Sequence, residues 1–117
     1  MNKRKLGKEY ETAAKKILEK SGYMILEENY RCPRGEIDLI AMDNGELVFL
    51  EVKYRSSTGQ GLPEEAVDLR KRKRISRTAQ WYMMEKRISP DVPCRFDVVS
   101  VLRENIRIYK NAFDFQR

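Results

Sequence analysis

Two apolar runs joined by Asn44-Gly45 constrain this chain more than any other segment: Glu36-Ile-Asp-Leu-Ile-Ala-Met-Asp43 before the pair, and Glu46-Leu-Val-Phe-Leu-Glu-Val-Lys53 after it. Both linking residues tolerate the positive φ of a two-residue type I′ turn, so the runs are predicted to fold back as a hairpin. With that turn Asp43 faces Glu46, Ile40 faces Phe49 and Leu39 faces Leu50. One step further Asp38 falls opposite Glu51, then Ile37 opposite Val52 and Glu36 opposite Lys53. Side chains alternate between faces along a strand. Ile37, Leu39, Ala41, Val48, Leu50 and Val52 therefore share an apolar face, and Glu36, Asp38, Glu51 and Lys53 share the other.

That charged set demands an explanation. Directly opposed residues have Cβ atoms about 4.5–5.5 Å apart, and like charges so placed destabilise a sheet. An unpaired charge among buried strands is expensive as well. A divalent cation between Asp38 and Glu51 resolves the conflict. Mg²⁺ favours carboxylate and carbonyl oxygens with several retained waters, which two acidic side chains and a backbone carbonyl supply. The plainer alternative is a set of salt bridges from Lys53 to Glu36 and Glu51 on a solvated edge, with Asp38 exposed.

Composition narrows the chemistry. The 117 residues carry 24 Lys plus Arg against 18 Asp plus Glu, a formal charge of +6 that favours a polyanionic partner. Histidine is absent, which excludes Ser-His and Cys-His nucleophile pairs, histidine bases and histidine-containing zinc sites. Cys32 and Cys94 are isolated, with neither zinc spacing nor a CxxC motif. Free thiols in a reducing compartment are expected, a disulfide between them being the alternative. The basic start Met1 to Leu6 is not followed by an apolar run, and no stretch reaches transmembrane length. A cytoplasmic protein without a membrane-spanning segment is the expectation.

Apolar spacing predicts a helix over Lys8 to Lys20, ended by Ser21-Gly22. A strand follows from Tyr23 to Tyr30, with Arg31 to Gly35 as a connection into the hairpin. Ser56 to Pro63 reads as a loop. A second helix is predicted from Glu64 to about Arg87, with Pro63 near its start and Glu64, Glu65 and Asp68 favouring its N-terminal dipole. Strands over Phe96 to Leu102 and Ile106 to Tyr109 complete the order, and no repeat or linker divides the single domain expected over residues 1–117. On the second helix Arg70, Lys73, Arg74 and Arg77 fall on one side, against Leu69, Ile75, Ala79, Tyr82 and Met83 on the other. Such a stripe can neutralise successive phosphates with salt-sensitive, largely sequence-independent affinity. A solvated amphipathic face is the alternative. Trp81, near the stripe, is expected to give partial cover to the core.

The element order, with Asp38 on one strand and Glu51-Val-Lys53 on the next, resembles the PD-(D/E)xK nuclease superfamily. A closer resemblance is to the YraN-like family, UPF0102, itself similar to archaeal Holliday-junction resolvases. It is carried by Glu11-Thr-Ala-Ala14, Gly22-Tyr23, Arg34-Gly-Glu-Ile-Asp-Leu-Ile40, Val48-Phe-Leu-Glu-Val-Lys53, Pro93-Cys-Arg-Phe-Asp-Val-Val99 and Asn111-Ala-Phe113. The chain departs at Tyr10, where the family usually has glycine. The resemblance implies an α/β (α+β) fold with a restriction-endonuclease-like αβββαβ core, a central mixed sheet flanked by helices. It implies Mg²⁺ or Mn²⁺ on Asp38 and Glu51, helped by the Val52 carbonyl, with Glu11 contacting the metal through water. Lys53 would orient the attacking water or stabilise charge developing on the phosphate. Glu36 would pair with Lys53 or hold a second metal, and Arg34, Arg55, Arg70, Lys73, Arg74 and Arg77 would contact phosphates.

The function so implied is that of a metal-dependent endonuclease hydrolysing phosphodiesters in DNA, branched DNA being indicated by the resolvase likeness alone. A non-catalytic nucleic-acid-binding module and a domain whose basic helix binds an acidic protein are the alternatives. A second copy of the chain stands among the candidate partners.

Overall fold

The predicted hairpin forms, and a five-stranded sheet is built out from it on both sides. The computed structural model describes residues 3–55, 67–103 and 105–116. In chain order the elements are α1 (Lys3–Lys20), β1 (Met24–Cys32), β2 (Gly35–Asp43), β3 (Glu46–Arg55), α2 (Leu69–Glu85), β4 (Cys94–Leu102) and β5 (Asn105–Phe113). Strand order across the sheet is β1-β2-β3-β4-β5. All neighbours are antiparallel except β3 and β4, which run parallel. The fold is α+β with a mixed sheet, as expected.

One helix covers each face. Ala14 and Leu18 of α1 pack with Leu39, Ala41, Val48, Leu50, Val52, Val99 and Val101. Ile75, Ala79 and Tyr82 of α2 pack with Ile40, Leu47, Phe49, Phe96 and Val98. The alternation along β2 and β3 thus feeds two cores. Ile37 is the exception, since it joins the α2 side rather than the face of Leu39. Asn29, which stands opposite Asp38 between the Glu28–Leu39 and Tyr30–Ile37 pairs, takes a positive φ of 51°. The irregular backbone there coincides with the change of face.

Local sequence explains most boundaries. α1 closes with Tyr23 N–H donating to the Leu18 carbonyl and Gly22 N–H to the Glu19 carbonyl, both near 3.0 Å (3.0 and 3.1), with Gly22 at φ 98°. This is a Schellman stop, and its hydrophobic contact is Tyr23 in the same core as Leu18. The β2–β3 turn has Asn44 at φ 51° and Gly45 at φ 79°, as a type I′ turn requires.

Several boundaries differ from expectation; β4, for one, begins at Cys94 rather than Phe96. α1 begins at Lys3, five residues before Lys8. β1 runs on through Arg31 and Cys32, leaving only Pro33-Arg34 as the turn into Gly35, because Pro33 sits where no ladder hydrogen bond is needed. α2 begins at Leu69, because Asp68 stays extended and its carboxylate accepts the Lys71 N–H at 2.9 Å as an N-cap. The expected helical start at Glu64 and the loop Ser56 to Pro63 lie outside the described residues. β5 extends to Phe113, well past Tyr109.

Gly35 fixes how closely α2 approaches the β1–β2 turn. Its φ is 150°, and a Cβ there would stand 2.9 Å from Thr78 Oγ1 and 3.3 Å from Arg74 Cγ. Gly35→Ala is therefore expected to destabilise the protein by about 2 kcal/mol, through backbone strain and overpacking together. Urea denaturation of Gly35→Ala checks this, and adding Thr78→Ser, which removes only a methyl group, should recover nothing, because the crowding atom is the hydroxyl oxygen.

Candidate metal centre and nucleic-acid interface

The site lies where β2 and β3 part company. Their ladder holds from Asp43–Glu46 to Leu39–Leu50 and stops there. At the next position the Asp38 carboxylate accepts the Val52 N–H at 2.7 Å, so a side chain replaces the backbone partner. The expected pairs Ile37–Val52 and Glu36–Lys53 do not form. Glu36 instead faces Arg31 on β1 and forms a 3.2 Å ion pair with it. Lys53 pairs through its backbone with Ser100 of β4. A residue's N–H and C=O project to the same side of a strand. The Val52 carbonyl therefore opens, like its N–H, toward Asp38 and the split.

Glu51 and Lys53 follow Phe49 on the α2 face. Glu51 is buried, with only 5% of its surface exposed, and Lys71 of α2 places its Nζ 3.4 Å from Glu51 Oε2. Burial, then the neighbouring Asp38 charge, pushes the Glu51 carboxyl up to about 7, against the pull of Lys71 and Lys53. Burial and then the adjacent Lys71 ammonium lower Lys53, although Glu51 and Asp38 act the other way. Asp38, Glu51, Val52, Lys71, Arg74 and Glu36 line an open cavity of about 640 Å³.

Glu11 of α1 reaches the same place from the opposite face. It lines a crevice with Asp38, Val52 and Asn29. Burial, then the Glu11 and Asp38 charges, push the Tyr54 hydroxyl up. Tyr54 in turn packs against Tyr10, ring centroids 5.7 Å apart. Among the described residues, no three His, Cys, Asp or Glu side chains gather closely enough to hold a metal by themselves. An ion here would rest on Asp38, Glu51, the Val52 carbonyl and water. Mg²⁺ is commonly held by one or two carboxylates with several waters retained, so the donor set fits. A buried carboxyl driven up by its carboxylate neighbour is also what an added dication would relieve.

The basic residues divide. Arg74 lines the cavity, while Arg70, Lys73 and Arg77 stay exposed along α2. Arg34 is exposed in the β1–β2 turn, next to the cavity-lining Gly35 and Glu36. Arg55 closes β3, and its side chain lies outside the described residues. Trp81 is half-buried, beside Met84 and Glu85. Leu69, expected on the apolar side, is 56% exposed in the first turn of α2. Sequence reasoning missed Lys71. The signal is its spacing: Lys71, Ile75, Thr78 and Tyr82 lie at i, i+4, i+7 and i+11, so this lysine heads the sheet-facing stripe of α2.

A mixed sheet with one helix on each face, and an acidic residue and a Glu-x-Lys element at a split between adjacent strands, is an arrangement compatible with restriction-endonuclease-like cores. The model of the uncharacterised protein family UPF0102 matches residues 10–101. The chain is 52% identical to a UPF0102 protein of Lachnoclostridium phytofermentans over 114 residues, 97% of each chain. It is 48% identical to one from Persephonella marina over 108 residues, 92% of each, and 44% identical to one from Moorella thermoacetica over 119 aligned positions, 97% and 98% of the two chains. The protein belongs to the UPF0102 family.

Proposed function

We propose that this protein is a metal-dependent phosphodiesterase that cuts DNA. The observation that carries the reading is the Asp38–Glu51–Lys53 set: two carboxylates beside a lysine at the open end of a strand pair, one carboxylate buried enough to be held near neutrality in pH. Mg²⁺ or Mn²⁺ bound there would supply Lewis acidity and a water acidified toward neutral pH. Asp38, already fixed by the Val52 N–H, and Glu51 orient that water. Lys53 offers a positive charge where negative charge develops on the phosphoryl oxygens. The bond from water oxygen to phosphorus would form as the opposite phosphorus–oxygen bond breaks, the water losing a proton to solvent and the departing oxygen gaining one from it, which leaves a phosphate monoester and a hydroxyl. Arg74 meets the phosphate at the mouth of the cavity, and Arg70, Lys73 and Arg77 extend the contact along the backbone. Branched DNA is the substrate class to try first.

Both cysteines are free, in keeping with a cytoplasmic site of action. Among the described residues no helix is long and apolar enough to cross a membrane. One observation favours a non-catalytic DNA-binding module instead: Lys71 already neutralises Glu51 without metal.

The purified protein, incubated with linear, single-stranded and four-way-junction DNA in Mg²⁺ or Mn²⁺, is expected to cleave at least one of them. Lys53→Ala should lower the rate about 100-fold, and Asp38→Asn at least as much. Metal-independent binding untouched by either change, with no cleavage of any substrate, would select the binding module.

A further inference from the structure

Four charges face one another at the split: Asp38 and Glu51 negative, Lys53 and Lys71 positive. The set is balanced as it stands. A dication delivered to the carboxylates leaves two positive charges in excess, and an ammonium 3.4 Å from Glu51 then opposes it. The two lysines differ in what they can do about this. Lys53 is anchored on β3, within the ladder to β4. Lys71 stands in the first turn of α2 with 36% of its side chain exposed, one turn before Arg74 at the cavity. Its side chain borders the open cavity, the space a phosphate would take.

We propose that Lys71 is a positioning residue that holds the cation's place on Glu51 in the metal-free protein, is displaced when metal binds, and then turns with Arg74 to the substrate phosphate. Metal entry and phosphate capture become one exchange: the ammonium released by Glu51 is the ammonium the substrate receives. The phosphate half of this inference rests on the phosphodiesterase reading. The competition for Glu51 does not.

Titration calorimetry with Mn²⁺ alone at pH 7.5 tests the competition. Lys71→Met is expected to bind Mn²⁺ about tenfold more tightly than the unaltered protein, by roughly 1.4 kcal/mol. Lys71→Arg, which keeps the charge, should stay within about twofold, and so should Lys86→Gln, which removes an equal charge from the other end of the same helix. A Lys71→Met affinity unchanged, weaker, or matched by Lys86→Gln would overturn the proposal. The second arm measures binding of a short DNA duplex with and without Mn²⁺. The gain in affinity on adding metal should shrink at least about fivefold in Lys71→Met, because coupling between two ligands is reciprocal. An unshrunken gain would overturn the phosphate half. Cleavage is read in neither arm, so failure to cut DNA would count against the nuclease reading alone.

Discussion

Glu51→Gln is expected to yield a protein more stable than its parent and, on the metal-dependent reading proposed above, weaker in binding Mg²⁺. The folded protein holds the Glu51 carboxyl at about 7, above its ordinary 4.5, through burial and the Asp38 charge. Below pH 4.5 the carboxyl is protonated folded or unfolded, and folding is unaffected. Between about 4.5 and 7 the unfolded chain releases this proton while the folded one keeps it, so stability falls as pH rises. Well above 7 the loss is complete, at about 3 kcal/mol. Glutamine never ionises, so Glu51→Gln should match the parent near pH 4 and exceed it by that amount at pH 8. Urea denaturation at pH 4, 6 and 8 measures the difference. Mg²⁺ should narrow the gap at pH 8, since it stabilises only the chain that still offers the carboxylate. Equal stability of the two proteins at pH 8 would mean that Glu51 is not strained by burial.

That tension explains which parts of the site were legible in sequence. The type I′ turn at Asn44-Gly45 sets register without reference to anything distant, so the pairs from Asp43–Glu46 to Leu39–Leu50 follow from the two flanking runs. The register fails one step beyond Leu39–Leu50. Asp38 is not a ladder residue, because its carboxylate accepts the Val52 N–H and ends the ladder. Alternation alone cannot register a side chain that substitutes for backbone. Glu36, expected to face Lys53, meets Arg31 instead, because beyond the split β2 stays paired with β1 alone. Lys71 was hidden by its surroundings: within Leu69-Arg-Lys-Arg-Lys-Arg74 every position but the first is basic, and only packing against the sheet distinguishes the one that faces Glu51. The end of α2, expected at about Arg87, falls at Glu85, and Arg87 at φ 55° takes the left-handed position that glycine often fills.

Asp97→Asn should cost about 3–5 kcal/mol, more than Gly35→Ala, although it alters one atom; Asp97 stands on β4 opposite Leu50, one register step from Glu51. Asp97 is wholly buried on β4. One of its carboxylate oxygens accepts from the Tyr23 hydroxyl at 2.7 Å and from Arg95 at 2.9 Å, and the other from Arg95 Nε at 2.9 Å and the Asn111 N–H at 2.9 Å. Both oxygens are thus double acceptors. Asparagine has one acceptor and one donor group, so either orientation of its amide turns an N–H₂ against protein donors. The Arg95 guanidinium, 8% exposed, would also lose the partner it meets through two nitrogens and lean on Asp43 at 2.8 Å and Glu46 at 3.6 Å. Leaving a buried donor unmet costs about 1–3 kcal/mol. Denaturation by urea measures the loss, and Asp97→Ala should be at least as damaging. The cluster joins residues 52 to 74 positions apart in sequence, and ties the end of α1, through Tyr23, to β4 and β5. α1 carries Glu11 and β4 flanks Glu51, so the clamp sets the relative placement of the two acidic groups that approach Asp38 from opposite faces. An Asp97→Asn protein should accordingly lose Mn²⁺ affinity before it unfolds, whereas a loss of stability with metal affinity intact would separate the clamp from the site.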